Sequence, residues 1–276
     1  MLSVVSTIDL IALDLDGTLL SSSESISAAN RSAIESALRA GIRVVLVTGR
    51  GADTPVAFAR DLGLNLPVIC AHGALTKDFL SGKVLGHIPV PLQYAVPMIE
   101  FAEANGVDCA VYVDEKFHRI VGMPRYMDDM NGPTWCDVKS FASVLTSAPT
   151  FIRFLGGAAV KSIRDTFGAL PVHFKYETWG SFEELAVTSI DATKKNALSQ
   201  LCRDLEISAT NVMAVGDSRN DLPMLHWAGI GVAMANASAE VRDAVSYVTD
   251  SNDDNGVARA IERFALSPFD GEAKSA

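Results

Sequence analysis

A chain of 276 residues, 49% hydrophobic and 20% charged, holds enough apolar material for one large or two moderate domains and is neither disordered nor fibrous in composition. Its 33 acidic residues outnumber 23 basic ones, and the formal net charge of -10 argues against a nucleic-acid groove or an anionic-membrane anchor. Four cysteines, Cys70, Cys109, Cys136 and Cys202, form no CxxC pair, which disfavours a zinc ribbon or dithiol centre and reads as reduced thiols in a cytoplasmic protein.

The apolar start carries Asp9 and has no Lys or Arg ahead of it, so it reads as a strand over residues 8–13 rather than a secretory leader. Such a run suits a parallel strand buried on both faces. Residues 27–40 have helical spacing (Ala29, Ala33 and Ala37 with Ile34 and Leu38), and Gly41 stops them. A strand over 42–47, a helix over 52–62 and a third strand over 67–71 complete a doubly wound α/β unit. The charge-free runs at 84–99 and 222–239 are broken by prolines and polar residues, so neither reads as a bilayer span. In the middle, residues 91–105 and 158–167 read as helices, and 108–113, 151–155, 172–176 and 184–188 as strands, the last two paired. Residues 123–135 are mixed and carry no assignment. Beyond them the alternation returns: a helix over 194–205, a strand over 211–215, a short helix over 221–227, a strand over 230–233, and helices over 239–245 and 257–264. The two alternating stretches are expected to share one sheet. The fold class is therefore α/β, with a doubly wound parallel-sheet core (residues 1–78 and 190–276) and an inserted α+β cap (residues 79–189).

Chemistry gathers where the expected strands end. Asp14-Leu15-Asp16-Gly17-Thr18 follows the first strand, and open α/β sheets bind ligands outside the carboxyl ends of their strands. Two neighbouring carboxylates repel, and a cation relieves them. Gly17 leaves room for a backbone N–H to approach an anion. Asp and Gly are also common turn residues, so this segment alone does not settle its role. Gly216-Asp217-Ser218-Arg219-Asn220-Asp221 repeats the pattern after a later strand, and Asp14, Asp217 and Asp221 could converge on one hard cation. Thr48-Gly49-Arg50 ends the second strand at the same edge, where a hydroxyl and a helix start suit a phosphate.

DxDGT at Asp14, Thr48 after the second strand, Lys194 before a helix and GDxxND from Gly216 occur in this order over nearly the whole chain. Together they resemble the haloacid dehalogenase (HAD) superfamily of phosphohydrolases, in the Cof-type branch with a C2B-type α/β cap. The insertion between Thr48 and Lys194 argues against members capped in the earlier gap, such as β-phosphoglucomutase-like enzymes. The resemblance implies a Mg²⁺-dependent phosphatase of a small phosphorylated metabolite, a sugar phosphate or cofactor-precursor phosphate. Asp14 would be the nucleophile and Asp16 the acid and base, while Thr48 and Lys194 would hold phosphoryl oxygens. Mg²⁺ would sit on Asp14, the Asp16 carbonyl, Asp217 and, directly or through water, Asp221. Gly17, Gly49, Arg50, His72 and Asn220 are expected around the substrate. Arg153, Tyr176 and Trp179 of the cap could meet its far end, but strand aromatics are usually core and Arg often lies on the solvent face, so they stay outside the expected site.

Two positions depart from the family pattern. Lys195 follows Lys194 where Gly is usual, and His72 in Ala71-His72-Gly73-Ala74 stands where Asn is common. A phosphomannomutase-type phosphomutase is disfavoured by the compact motif at 216–221. A non-catalytic phosphometabolite-binding regulator is disfavoured because all four carboxylates are present. A monomer or small homo-oligomer with no nucleic-acid or membrane partner is expected.

Overall fold

The computed structural model describes residues 8–121, 135–179 and 182–267. The chain begins with β1 (Leu10–Leu13), α1 (Ala28–Arg39), β2 (Arg43–Leu46), α2 (Asp53–Asp61), β3 (Val68–Cys70), β4 (Leu75–Lys77) and β5 (Val84–His87). It continues through α3 (Leu92–Asn105), β6 (Cys109–Val113), β7 (Lys116–Ile120), β8 (Trp135–Val138), β9 (Phe151–Leu155), α4 (Gly157–Phe167), β10 (Val172–Trp179) and β11 (Phe182–Ser189). It returns with α5 (Lys194–Asp204), β12 (Val212–Gly216), α6 (Leu222–Trp227), β13 (Ile230–Ala233), α7 (Ala239–Asp243), β14 (Tyr247–Val248) and α8 (Gly256–Ile261).

Five parallel strands in the order β14-β13-β12-β1-β2 form the first sheet, which joins both ends of the chain as the alternation predicts. Burial on both faces explains its apolar strands. Ile11, Leu13, Val44, Leu46, Met213 and Val215 feed one core, while Leu10, Ala12, Val45, Val212 and Ala214 feed the core on the opposite face. Helix α1 starts at Ser27, whose hydroxyl accepts from the Asn30 N–H, and turns Ala33, Ile34 and Ala37 onto the first of these cores.

The third expected strand departs from the reading. β3 does not enter the five-stranded sheet; it meets the end of β2 only through an isolated bridge, Val47 to Ile69. Ala71 and His72 take left-handed backbone angles (φ 50° and 57°) and turn the chain back. β3 therefore pairs antiparallel with β4 in a small sheet, β3-β4-β5, that lies astride residue 79. Strands β4, β5, β7 and β14 are also absent from the sequence reading, because they are short or carry charge and so show no apolar run. The unassigned stretch yields β8 at its end, opening on Trp135; residues 123–134 lie outside the described residues.

The cap is a six-stranded sheet in the order β10-β11-β9-β6-β7-β8. One face packs on α3 and α4 through Ile152, Phe154, Leu185 and Val187. On the other, Ala110, Tyr112, Phe117 and Phe151 join the core beneath the five-stranded sheet. Tyr112 fastens the two layers: its hydroxyl accepts from the Ala52 N–H at 3.0 Å.

Candidate active site

Parallel register decides what meets at the sheet edge. Leu13 lies opposite both Leu46 and Val215, so Asp14, Thr48 and Asp217 leave three adjacent strands at nearly the same height. Asp14 is buried, and its N–H donates to the Val215 carbonyl at 3.1 Å. Lys194 arrives from α5, which begins at Thr193, whose hydroxyl accepts from the Asn196 N–H. Its Nζ stands 2.6 Å from Asp14 Oδ1 and 2.7 Å from Asp221 Oδ1. Lys194, not the partly exposed Lys195, is the lysine that reaches the carboxylates. Burial alone would strip its proton, but Asp14 and Asp221 outweigh that penalty and raise its pKa.

The loop after β12 is organised by Asp221. Its second oxygen accepts from the N–H groups of Asp217 and Ser218 and from the Ser218 hydroxyl, at 3.3, 3.1 and 2.8 Å. Asp217 accepts from the Thr18 hydroxyl at 3.1 Å. Gly17 is required here: φ is +71°, and a Cβ would stand 2.3 Å from Asp217 Oδ2.

Carboxylate oxygens of Asp14, Asp217 and Asp221 lie within 4.8 Å of one another. Burial, with Asp221 beside it, raises the Asp217 pKa to about 6. Asp14 is pushed above the usual carboxylate range by burial, against the pull of Lys194, and by the three neighbouring aspartates. This crowded set of hard oxygen donors fits a small divalent cation such as Mg²⁺.

Asp16 is held by Arg50. Nε stands 3.1 and 2.9 Å from its two oxygens and Nη2 stands 2.5 Å from Oδ1. Thr48 is fully buried, its hydroxyl accepting from the Arg50 N–H at 3.1 Å, so it lies beneath the cavity wall. His72 is also fully buried beneath Gly49; a Cβ on that glycine would stand 2.4 Å from the imidazole Cε1. Burial, then Lys175, Lys194 and Arg153, lower its pKa well below the ordinary value and keep it neutral. The structure thus brings Asp14, Asp16, Gly17, Gly49, Arg50, Lys194, Asp217 and Asn220 to one cavity and places Thr48 and His72 behind its wall.

That cavity, of about 1150 Å³, lies between the sheet edge and the cap. Arg153 and Tyr176 line it, against the expectation that such strand residues serve the core or the solvent face, while the side chain of Trp179 lies outside the described residues. Sequence reasoning missed Arg164, His173 and Lys175 from the cap and Ser218 and Arg219 from the loop after β12. Alternation along β10 would have paired His173 with Lys175 on one face, but nothing in the sequence says which face meets the site.

A cap inserted after the second strand of a parallel sheet, over carboxylates gathered at that sheet's edge, defines a hydrolase on a HAD-like scaffold. The model of the haloacid dehalogenase-like hydrolases matches residues 11–261, and the chain belongs to this family. It is 30% identical over 281 residues to the phosphatase YwpJ of Bacillus subtilis (strain 168), covering 92% of this chain and 98% of that one. It is 28% identical over 269 residues to the pyridoxal phosphate phosphatase YbhA of Escherichia coli (strain K12), covering 92% and 98%. A solved haloacid dehalogenase-like hydrolase from B. subtilis superposes with a TM-score of 0.79 at 26% identity, covering 92% of this chain and 99% of that one. The chain is an enzyme, a phosphatase of this family. No helix among the described residues is long and apolar enough to cross a membrane.

Proposed function

We propose that the protein is a Mg²⁺-dependent phosphatase that hydrolyses small phosphorylated metabolites, sugar phosphates or cofactor phosphates, through an aspartyl-phosphate. One observation carries this reading: the buried Asp14 faces the cavity with Lys194 2.6 Å away and Asp16 at the same edge. That one relative is a pyridoxal phosphate phosphatase is consistent with the substrate class.

In this reading an Asp14 carboxylate oxygen attacks phosphorus while the bond to the leaving oxygen breaks. Asp16 delivers a proton to that oxygen, and the product alcohol departs. Asp16 then takes a proton from water as its oxygen attacks phosphorus. The bond to Asp14 breaks and inorganic phosphate is released. Lys194 holds a non-bridging oxygen, and Thr48 fixes the Gly49–Arg50 turn from below through its hydrogen bond to the Arg50 N–H. Asp14, the Asp16 carbonyl, Asp217 and Asp221 would hold Mg²⁺, which when bound offsets repulsion between the carboxylate and the phosphoryl group. Residues 79–189 act as the cap that covers the substrate and excludes water. A cytoplasmic location, which the four free cysteines support, and a monomer or small homo-oligomer belong to the same proposal.

The test is a phosphate-release screen over sugar phosphates, nucleotides, flavin mononucleotide, pyridoxal phosphate and the aryl ester p-nitrophenyl phosphate, with Mg²⁺ and with chelator. Release that requires Mg²⁺ is expected for at least one metabolite. Absence of release from every phosphate ester, aryl phosphates included, overturns the proposal.

A further inference from the structure

The loop that carries Arg50 joins β2 to α2, and the cap reaches into it. Its first part is tied to the core: the Thr48 carbonyl accepts from the His72 N–H at 3.0 Å, and the Arg50 carbonyl from the Ala71 N–H at 2.8 Å. At Ala52, the buried N-cap residue of α2, the hold passes to the cap. No side-chain hydrogen bond closes this end of the helix. A Glu or Gln at the third helical position reaches back to the N-cap N–H in many helices, but here that position is Pro55. The Ala52 N–H donates instead to the Tyr112 hydroxyl, 60 residues away, at 3.0 Å.

Sheet register places that hydroxyl. Tyr112 on β6 lies opposite Phe117 on β7 and Phe151 on β9, so three aromatic rings share one row on the sheet face turned to the core. The Tyr112 ring is in the middle, its centroid 4.6 Å from that of Phe117 and 5.0 Å from that of Phe151. Gly51 lets the loop come close: a Cβ there would stand 3.0 Å from both Tyr112 Cε2 and Phe117 Cε2.

The clasp on Asp16 depends on where this loop stands. Arg50 has a second carboxylate near it, the exposed Glu24, whose Oε1 is 3.9 Å from Nη2. A side-on fork tolerates little displacement, so the backbone position of Arg50 decides how squarely it meets Asp16. That backbone is two residues from Ala52.

We propose that Tyr112 is a positioning residue for proton transfer: by holding the Ala52 N–H it fixes the 49–52 loop from the cap side and, through Arg50, the orientation of Asp16. This rests on the phosphatase reading with Asp16 as acid and base, and it makes the cap part of the proton-transfer apparatus as well as a cover.

The experiment compares Tyr112→Phe with wild type, with Mg²⁺, on p-nitrophenyl phosphate and on pyridoxal phosphate or glucose 6-phosphate, whichever is hydrolysed faster. Loss of one hydrogen bond is expected to lower kcat for the alkyl ester about threefold to tenfold, with kcat for the aryl ester and both KM values within about twofold of wild type. The Tyr112→Phe, Arg50→Lys double variant should lose no more on the alkyl ester than Arg50→Lys alone, because both act through one clasp. Phe154→Leu, which loosens the cap from its helix-covered side, should lower Tm and leave the alkyl-to-aryl ratio unchanged. Should Tyr112→Phe not be recovered folded, Gly51→Ala presses on the same contact from the loop and decides by the same ratio. An unmoved ratio, a multiplied loss in the double variant, or an equal shift of the ratio in Phe154→Leu overturns the proposal. Two controls separate its failure from that of the reading beneath it. Wild-type enzyme inactive on both alkyl esters overturns the metabolite phosphatase reading, and equal losses on both ester types in Asp16→Asn remove the acid role; either result takes this inference with it.

Discussion

Arg50 clasps Asp16 side-on, its Nε 2.9 Å from one carboxylate oxygen and its Nη2 2.5 Å from the other. A planar guanidinium fixes a carboxylate in both position and rotation, which a lysine cannot do. Asp16 thereby reaches the cavity in a set orientation, 34 residues away in sequence from the group that sets it.

If Asp16 is the acid, its loss must weigh most on poor leaving groups. Asp16→Asn should lower kcat by about 10²–10⁴-fold for alkyl phosphates and much less for p-nitrophenyl phosphate. Arg50→Lys should show the same leaving-group dependence with a smaller loss. Steady-state kinetics on the two substrate types decides it; an equal loss on both removes the acid role from Asp16.

Asp14 is expected to be phosphorylated in turnover. Acid-quenched wild-type enzyme should carry one added phosphoryl group on a peptide containing Asp14, read by mass spectrometry. Asp14→Asn should show neither the adduct nor phosphate release. Turnover retained by that variant would assign the nucleophile elsewhere.

Lys194 compensates two buried carboxylates at once, Asp14 and Asp221. Removing one partner of such a cluster costs about 3–5 kcal/mol, because the other charges stay buried. Lys194→Met should therefore lose both activity and thermal stability. Mg²⁺ should raise the Tm of the wild-type protein, as any ligand of the folded state does. Asp217→Asn should shrink that rise, and EDTA should silence turnover. Full activity in excess chelator would refute the metal.

How much of this was legible follows from where the signals lie. The five-stranded sheet could be read because β1, β2 and β12 are buried on both faces and so are apolar runs, broken only by Arg43 at the start of β2. The site could be read because its carboxylates directly follow those runs. β3 was misplaced because its pairing depends on the left-handed turn at Ala71 and His72, two non-glycine residues with no sequence signature for it. His72 was expected beside the substrate from its position after a strand, yet that same turn packs its ring under Gly49. Lys175 was missed because a lone lysine on a strand reads as solvated, and only the pairing of β10, β11 and β9 brings it into the cavity.

Asp108, at the entry to β6 in the cap, allows a stability measurement that does not touch the site. Its Oδ2 is buried without a hydrogen-bond partner, and burial raises its pKa from 3.8 to about 6, against the Cys109 N–H and Arg119. The sign follows from proton counting. Between these two values the folded state holds the proton and the unfolded chain has released it, so stability falls as pH rises through that window. At pH near 7 the folded protein bears the full cost of an ionised, half-buried carboxylate. Asp108→Asn keeps an acceptor for the Cys109 N–H and removes the charge, so it should stabilise the protein by about 1 kcal/mol at neutral pH. The difference from wild type should narrow steadily toward pH 4. Urea denaturation of both proteins across that range measures it, and a gap that stays constant or widens on acidification would show that Asp108 is not the group responsible.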